Sequence, residues 1–554
     1  MNRLFLFSAL LALPAWPQDN RQAPAVVDAA KAGVGRLYTD SAIAAALQDA
    51  KLLVVAFSGP DCPVSKLYKG RLDRLSKDYS PRGVRILTVS SDDKGFVALF
   101  GPERTTEAFV LDSKSVLRYR GAVDDQYGIG YTKDAPSRNY LVDAIEALLA
   151  GKNPPVAATE APGCAVEKVS KGGAAAPVAA GKPTFHKDVE PIFQKRCVEC
   201  HRPNDIGPFS LLKYDKARSS AKQIKEVVVQ RRMPPWHADP KIGQWKNDRH
   251  LSTQEIGTIA GWVDAGAPEG DPKDAPPGPK FTEGWRIGTP DATWSIPRKE
   301  HIPAEGTVPY RNLFVMTNLK EDKWVQAVEV RPGTRSVVHH VLVFVLYPLA
   351  RMKEQPKIDG LNGYLGIYVP GEGPMVYADG MGKYVPAGAT LAFQIHYTTN
   401  GEAADDQTQI GFLWAKSKPA QEVITHSVSS QRLRIPPETA DHPEEASFTF
   451  PYDAKILSFL PHMHVRGKAF KYVAVSPEGK EEVLLDVPRY DFNWQICYRL
   501  KEPRAVKKGT VIKAFARFDN SKNNPANPDP SKEVHWGQQT WEEMLVGYMD
   551  YVKE

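Results

Sequence analysis

Five histidines and one methionine carry the chemistry of this chain: His339 and His340 in VVHHVLVF, His396 in FQIHYTTNG, His462 and His464 in LPHMHVRGK, and Met544 in TWEEMLVGY. All are metal-ligand types. Imidazoles with one thioether form a mixed, fairly soft set, which suits copper cycling between Cu(I) and Cu(II) better than Mg, Ca or Mn. The runs divide into His/His/His and His/His/Met, which points to two unlike copper ions in an oxygen-using redox enzyme. In a strand, residues two apart share a face, so His462 and His464 present two imidazoles to one side. His339 and His340 are adjacent and would face opposite ways in a regular strand. Both can reach one metal only at a strand end, at a bulge, or through different ring nitrogens.

A second chemistry lies in CVECH, residues 197–201. Two thiols at this spacing followed by histidine form the pattern for covalent c-type haem attachment, with Cys197 and Cys200 adding to the vinyl groups and His201 ligating iron. A zinc reading would need a second Cys/His pair at suitable spacing, and none is evident. The sixth iron ligand is expected in the same domain. Met233 in RRMPPWHADP is the candidate, because a thioether raises the potential and the following prolines stiffen the loop. His237 is its competitor.

A third lies at Cys62 in FSGPDCPVSKLY, after a buried strand and at a helix start, where amide dipoles lower a thiol's pKa. Ser65 stands where CxxC has its second thiol. Val55 and Gly59 stand where P-x-x-x-T-x-x-C has Pro and Thr, and Thr106 where a proline is expected before the third strand. Cys164 in APGCAVEK could serve as a resolving partner, and a structural use of Cys62 stands beside thiol redox chemistry.

These groups need scaffolds to hold them, and 554 residues are too many for one core. Residues 1–18 have the charged start, short apolar run and small-residue exit of a signal peptide. Residues 25–150 alternate β and α in thioredoxin-like order: strands at 52–57, 84–90 and 108–112, helices at 41–49, 65–79 and 139–150. Residues 151–182 are Ala/Pro/Gly-rich and read as a linker. Residues 183–270 are helical in pattern and hold CVECH. From 281 onward short β-type runs alternate with turns, which predicts two tandem antiparallel sandwiches, 281–435 and 436–554. The fold class expected is therefore multidomain: an α/β thioredoxin-like domain, an all-α cytochrome c-like domain, then two β-sandwich (jelly-roll) domains. Five cysteines are too few for a disulfide scaffold, and the net charge of +6 is spread along the chain, which argues against nucleic-acid binding. No later segment reads as a membrane span. The expected location is periplasmic or secreted.

Taken together, VHHVLVF, IHYTTNG, HMHVRGK and WEEM resemble the copper type II, ascorbate-dependent monooxygenases, a family that includes peptidylglycine α-hydroxylating monooxygenase and dopamine β-hydroxylase. The likeness spans residues 281–554. It implies that His339, His340 and His396 bind an electron-donating copper, and that His462, His464 and Met544 bind the copper that activates oxygen for C–H hydroxylation. It also implies that Tyr548 lines the substrate pocket, a packed aromatic being the bland alternative. Leu460 and Val546 replace an Arg and an Asn of the peptide-amidating branch, which disfavours a peptide carboxylate as substrate. Cys497, alone in this half, excludes the disulfides of the animal enzymes. The expectation is a monooxygenase acting on a small molecule or peptide, with electrons from a periplasmic donor through haem c, from ascorbate, or from both. A non-enzymatic haem/copper carrier or copper-handling protein, and a thiol-redox protein using Cys62, are the competing readings.

Overall fold

The structure is a computed structural model and describes residues 21–166, 181–203, 205–353 and 364–554. The expected signal peptide lies outside the described residues. The chain is multidomain and mostly β, with an α/β unit and a helical unit ahead of a large β region.

Leu52–Ser58 is apolar almost throughout and buried from Leu52 to Phe57, so both its faces must be covered. It pairs in parallel with Val84–Ser90 and antiparallel with Ala108–Asp112, which in turn pairs with Leu117–Gly121. The parallel pair requires a crossover, supplied by helix Pro63–Tyr79, with Cys62 at its N-cap and Pro63 in its first turn. Alternation along Leu52–Ser58 sends Val54 and Ala56 toward Tyr68, Leu141 and Ile145, and Val55 and Phe57 toward Ile43, Val97 and Phe100. The α/β unit also takes in residues expected to be linker. Ala158, Thr159 and Val166 are buried, and Ala158 and Ala165 bridge to Arg120 and Arg104. Low apolar periodicity concealed this, because a single strand-like wrap needs only a few buried contacts.

In the helical unit, Glu190–Arg196, Ala221–Val229 and Thr253–Asp264 enclose Phe193, Ile224, Ile259 and Trp262. The last helix begins with a full capping box between Ser252 and Glu255. Between these helices, residues 236–251 leave the unit. Trp236 and Trp245 enter the core of the C-terminal sandwich, and Trp245 bridges to Leu500.

The β region holds two sandwiches that share one long sheet. The outer layer of the first is Tyr364–Tyr368, Val338–Leu346, Thr390–Tyr397 and Arg311–Met316. That of the second is His442–Thr449, Val511–Phe518, Gly467–Val475 and Glu481–Val487. The shared sheet runs from Ala292–Ser295 through Gln409–Trp414, Lys323–Arg331 and Met381–Val385. It continues into Gln421–Ser429, Val546–Lys553, Ala454–His462 and Tyr498–Val506. Its halves meet at a short parallel pairing, Met381 and Gly382 against Gln421 and Glu422.

The sandwich boundary therefore falls before Gln421, not at 435. Gln421–Ser429 hydrogen-bonds along its length to Val546–Lys553, and the proline-rich turn at 435–443 is a loop inside the second sandwich. The seam is itself an apolar core, where Leu460, Met544, Val546 and Tyr548 join the cluster of the first sandwich. It also buries one charge pair, Lys383–Asp550 at 3.3 Å, with Lys383 Nζ donating to Tyr364 O at 2.9 Å and to Thr425 Oγ1 at 2.6 Å. Among the described residues no helix is long and apolar enough to cross a membrane.

Candidate metal centre

Val338–Leu346 and Thr390–Tyr397 pair with His340 opposite His396, and the register slips between Val338 and His340. His339 is the extra residue of that bulge. The slip is what lets two adjacent histidines face one point. One ligand nitrogen from each of His339, His340 and His396 lies within 4.8 Å of the other two, and the Nδ1 atoms of His339 and His340 are 3.0 Å apart. Imidazole–metal bonds of about 2.0–2.1 Å place neighbouring nitrogens roughly 3.3–3.6 Å apart, so the spacing accommodates one ion with little movement. His339 Nε2, His340 Nε2 and His396 Nδ1 are buried without a hydrogen-bond partner, a costly state that a bound ion or a ligand relieves.

The second group stands against the first, with the rings of His340 and His462 6.3 Å apart and those of His462 and His464 5.2 Å apart. His462 ends the strand Ala454–His462, paired with Val546, and His464 follows in the turn. Both rings are oriented from behind. His462 Nδ1 meets Gln495 Oε1 at 2.7 Å, and His464 Nδ1 donates to the carbonyl of Glu542 at 3.1 Å. This fixes the tautomer of His464 and leaves its buried Nε2 unpartnered, the arrangement of a metal-ligating histidine.

Glu543 ties Met544 to this pair. Its Oε2 accepts the backbone N–H of both His464 (2.8 Å) and Met544 (3.1 Å), and its Oε1 that of Arg466 (2.6 Å). Burial pushes the Glu543 carboxyl up to about 7, against the Arg466 charge and these three donors. All three donors require acceptor oxygens, which the ionised carboxylate supplies in full. Two rings lock the groups together. Tyr310 lies 5.6, 4.6 and 6.4 Å from His340, His396 and His464. Phe492 stacks on His339 at 5.1 Å and lies 6.2 Å from His464.

Burial first, and neighbouring imidazoles second, hold these histidines neutral. His339 falls to about 4 and His464 to about 3, while His340 and His396 lie well below the usual range; burial alone brings His462 to about 4 despite the Gln495 bond. Five buried neutral imidazoles offer lone pairs at neutral pH. A cavity of about 160 Å³ reaches two of them, His339 and His396, and is lined also by Phe492, by Tyr131 of the α/β unit, and by His237. His237 is buried with both ring nitrogens unpartnered.

The remaining expected residues fall elsewhere. Tyr548 does not line this cavity. It is fully buried in the seam, with its ring 5.2 Å from Tyr364 and its hydroxyl unpartnered. Alternation along Val546–Lys553 points it into the first sandwich's core. Cys197 and Cys200 are half-buried free thiols, and His201 Nδ1 donates to Phe209 O at 3.1 Å, leaving Nε2 for a ligand. The motif lies against the first sandwich. Glu199 pairs with Arg286 at 2.7 Å, and a Cβ on Gly371 (φ +81°) would come within 3.1 Å of Cys200 Sγ. Met233 follows helix Ala221–Val229, its N–H on Val227 O at 3.2 Å. Cys62 is buried beside Cys164. Tyr310, Phe492, Gln495 and Glu543 had no sequence signal beyond Glu543 adjoining Met544, because loops far apart in sequence deliver them.

No family model matches the chain, and no curated protein does. Among solved structures, 28% of the chain is similar to 95% of a hypothetical protein from Sinorhizobium meliloti 1021 (23% identity, TM-score 0.20). A further likeness covers 29% of the chain and 96% of an uncharacterized conserved protein from Geobacillus kaustophilus (20% identity, TM-score 0.19). The major capsid protein P2 of bacteriophage PM2 is similar over 47% of this chain and 97% of its own length (8% identity, TM-score 0.20). Likenesses this slight leave the site to be read from its own geometry.

Proposed function

We propose that this chain is an exported copper-dependent monooxygenase, acting in the periplasm or secreted. In this reading the α/β unit is thioredoxin-like, the helical unit a cytochrome c-like domain, and the sandwiches are jelly rolls. The observation that carries it is the convergence of five neutral, buried imidazoles from two sandwiches, four of them with an unpartnered nitrogen, beside a cavity that His339 and His396 line. The donor sets fit two copper ions, one held by His339, His340 and His396, the other by His462, His464 and Met544. Bound there, copper would supply one-electron transfer at the first set and activation of O2 at the second, for hydroxylation of a substrate C–H bond.

The residues around the sets prepare that chemistry. Gln495 and the Glu542 carbonyl hold His462 and His464 in orientation, and the Glu543 carboxylate keeps Met544 in step with His464. Tyr310 and Phe492 exclude water between the sets. The small-molecule or peptide substrate enters by the cavity, where His237 is the free polar group facing it.

CVECH fits a covalently held haem: two thiols and an imidazole whose Nε2 is left available. Its docking on the loop after Tyr364–Tyr368 supports electron entry there, since Tyr368 pairs with Val341, the neighbour of His340. A periplasmic protein donor would deliver electrons to this unit, with ascorbate an alternative reductant.

The test is copper content together with reductant-dependent O2 uptake, compared between the native chain and Met544→Ile. Two coppers and O2 uptake in the native chain, with uptake lost in the variant, support the reading. Bound copper with no O2 uptake in the native chain would leave a carrier or copper-handling protein instead.

A further inference from the structure

The α/β unit carries a second reactive centre that the copper chemistry does not use. Residues 162–166, beyond the last helix of the unit, fold back along the turn before strand Ala108–Asp112. Thr105 N–H donates to Cys164 O at 3.0 Å, Cys164 N–H donates to Thr105 Oγ1 at 3.0 Å, and Arg104 bridges to Ala165. This laid-on strand brings Cys164 to the same cavity wall as Cys62. Both border a cavity of about 590 Å³ between the α/β and helical units. Its rim carries Lys94, Lys216, Arg218 and Lys222 against Asp61 and Asp92.

Ser65 explains why the pair is built this way. Where a CxxC motif would put its second thiol, the Ser65 hydroxyl instead accepts from Gly59 N–H and donates to Thr105 O, both at 3.0 Å, which fixes the turn around Cys62. The resolving position is supplied from the far side, by a segment a hundred residues on (164 − 62 = 102).

We propose that Cys62 and Cys164 form a thiol–disulfide exchange centre that takes an anionic small-molecule disulfide from this cavity. Cys62 thiolate attacks one sulfur of the external disulfide, forming a mixed disulfide and releasing the first external thiolate, which takes up a proton. Cys164 then loses its proton and attacks Cys62 Sγ, expelling the second external thiol. Two protein thiols are oxidised and one external disulfide is reduced to two thiols, and the reverse sequence runs with excess external thiol.

The surroundings suit both roles. Burial pushes the Cys62 thiol up, but hydrogen bonds from Cys164, Thr105 and Ser65 outweigh it and bring it down to about 5. Cys164 is raised, first by its hydrogen bond to Cys62 and then by burial. That first restraint disappears once Cys62 carries a mixed disulfide, so Cys164 is freed at the step that needs it.

The test equilibrates the full chain with buffers of reduced and oxidised glutathione, followed by alkylation and peptide mass mapping. The expected result is a Cys62–Cys164 disulfide whose fraction tracks [GSSG]/[GSH]² reversibly. Cys164→Ser should trap glutathione on Cys62, and Cys62→Ser should leave Cys164 unmodified, both with native thermal melting. Oxidised glutathione should react about tenfold or more faster than the cationic disulfide cystamine at low salt. Cys62 that stays inert, or that holds glutathione in the native chain without bridging to Cys164, overturns the pair. Equal rates for the two disulfides overturn the anionic substrate. Copper content and O2 uptake stand apart from all of these readouts.

Discussion

The two halves of the metal centre are built on different plans. His339, His340 and His396 come from two adjacent strands of one sheet, and a single bulge aims them. One ligand nitrogen from each lies within 4.8 Å of the other two, and His339 Nε2, His340 Nε2 and His396 Nδ1 are buried without a hydrogen-bond partner. His462, His464 and Met544 come from a strand end, a turn and the approach to another strand, and depend on Gln495, Glu542 and Glu543 for orientation. The first set is rigid through its backbone, the second through hydrogen bonds to side chains and a loop carbonyl. A site that only passes electrons benefits from fixed geometry. One that must admit oxygen and a substrate needs open coordination positions, and hydrogen-bonded supports can hold ligands without closing them off.

Four substitutions would break or sharpen this contrast. His340→Ala removes the ligand that pairs opposite His396, next to the bulge. One of two copper equivalents should be lost and O2 uptake should fall by more than about a hundredfold, beyond the 10–100-fold typical of supporting residues. Two coppers retained at full affinity would show that the triad is not a site. Gln495→Leu should weaken only the second copper, by about 10–100-fold in a competition titration, and an equal loss at both sites would contradict the division. Glu543→Gln leaves a buried N–H short of an acceptor. It should cost about 1–3 kcal/mol in denaturant unfolding and loosen the second copper while sparing the first. Tyr548→Phe removes a buried, unpartnered hydroxyl and should leave O2 uptake unchanged while raising stability by about 1 kcal/mol. A drop in rate would return Tyr548 to the substrate pocket.

Three strands and three helices of the α/β unit were legible to within a few residues, because LLVVAF, VRILTVS and AFVLD are continuous apolar runs set between amphipathic ones; the short helix Lys94–Phe100 was not. The bulge at His339 was legible only as one of three ways for adjacent histidines to converge, beside a strand end and the use of different ring nitrogens. The placement of Gln421–Ser429 was not. Its alternating pattern fits either sandwich, and only its hydrogen bonds to Val546–Lys553 decide. The same holds for residues 158–166, buried against the α/β unit beyond its last helix, and for Trp236, Ala238 and Trp245, buried in the second sandwich. Tyr548 packs in the same buried cluster as Met544 and Leu460, a placement that a resemblance at one position does not convey.

The strand Val546–Lys553 lies between Gln421–Ser429 and Ala454–His462, and Met544 leads into it. The second ligand set is therefore complete only once that strand has paired with both neighbours, and pairings so distant in sequence slow folding. An extended chain with the same five histidines would bind divalent ions in order of raw affinity. In the folded chain the donors proposed to hold copper converge only with the strands that carry them, so the choice of ion would pass from ligand affinity to the shape of the folded cage. Chains met by metal while still unfolded should be the ones that mismetallate.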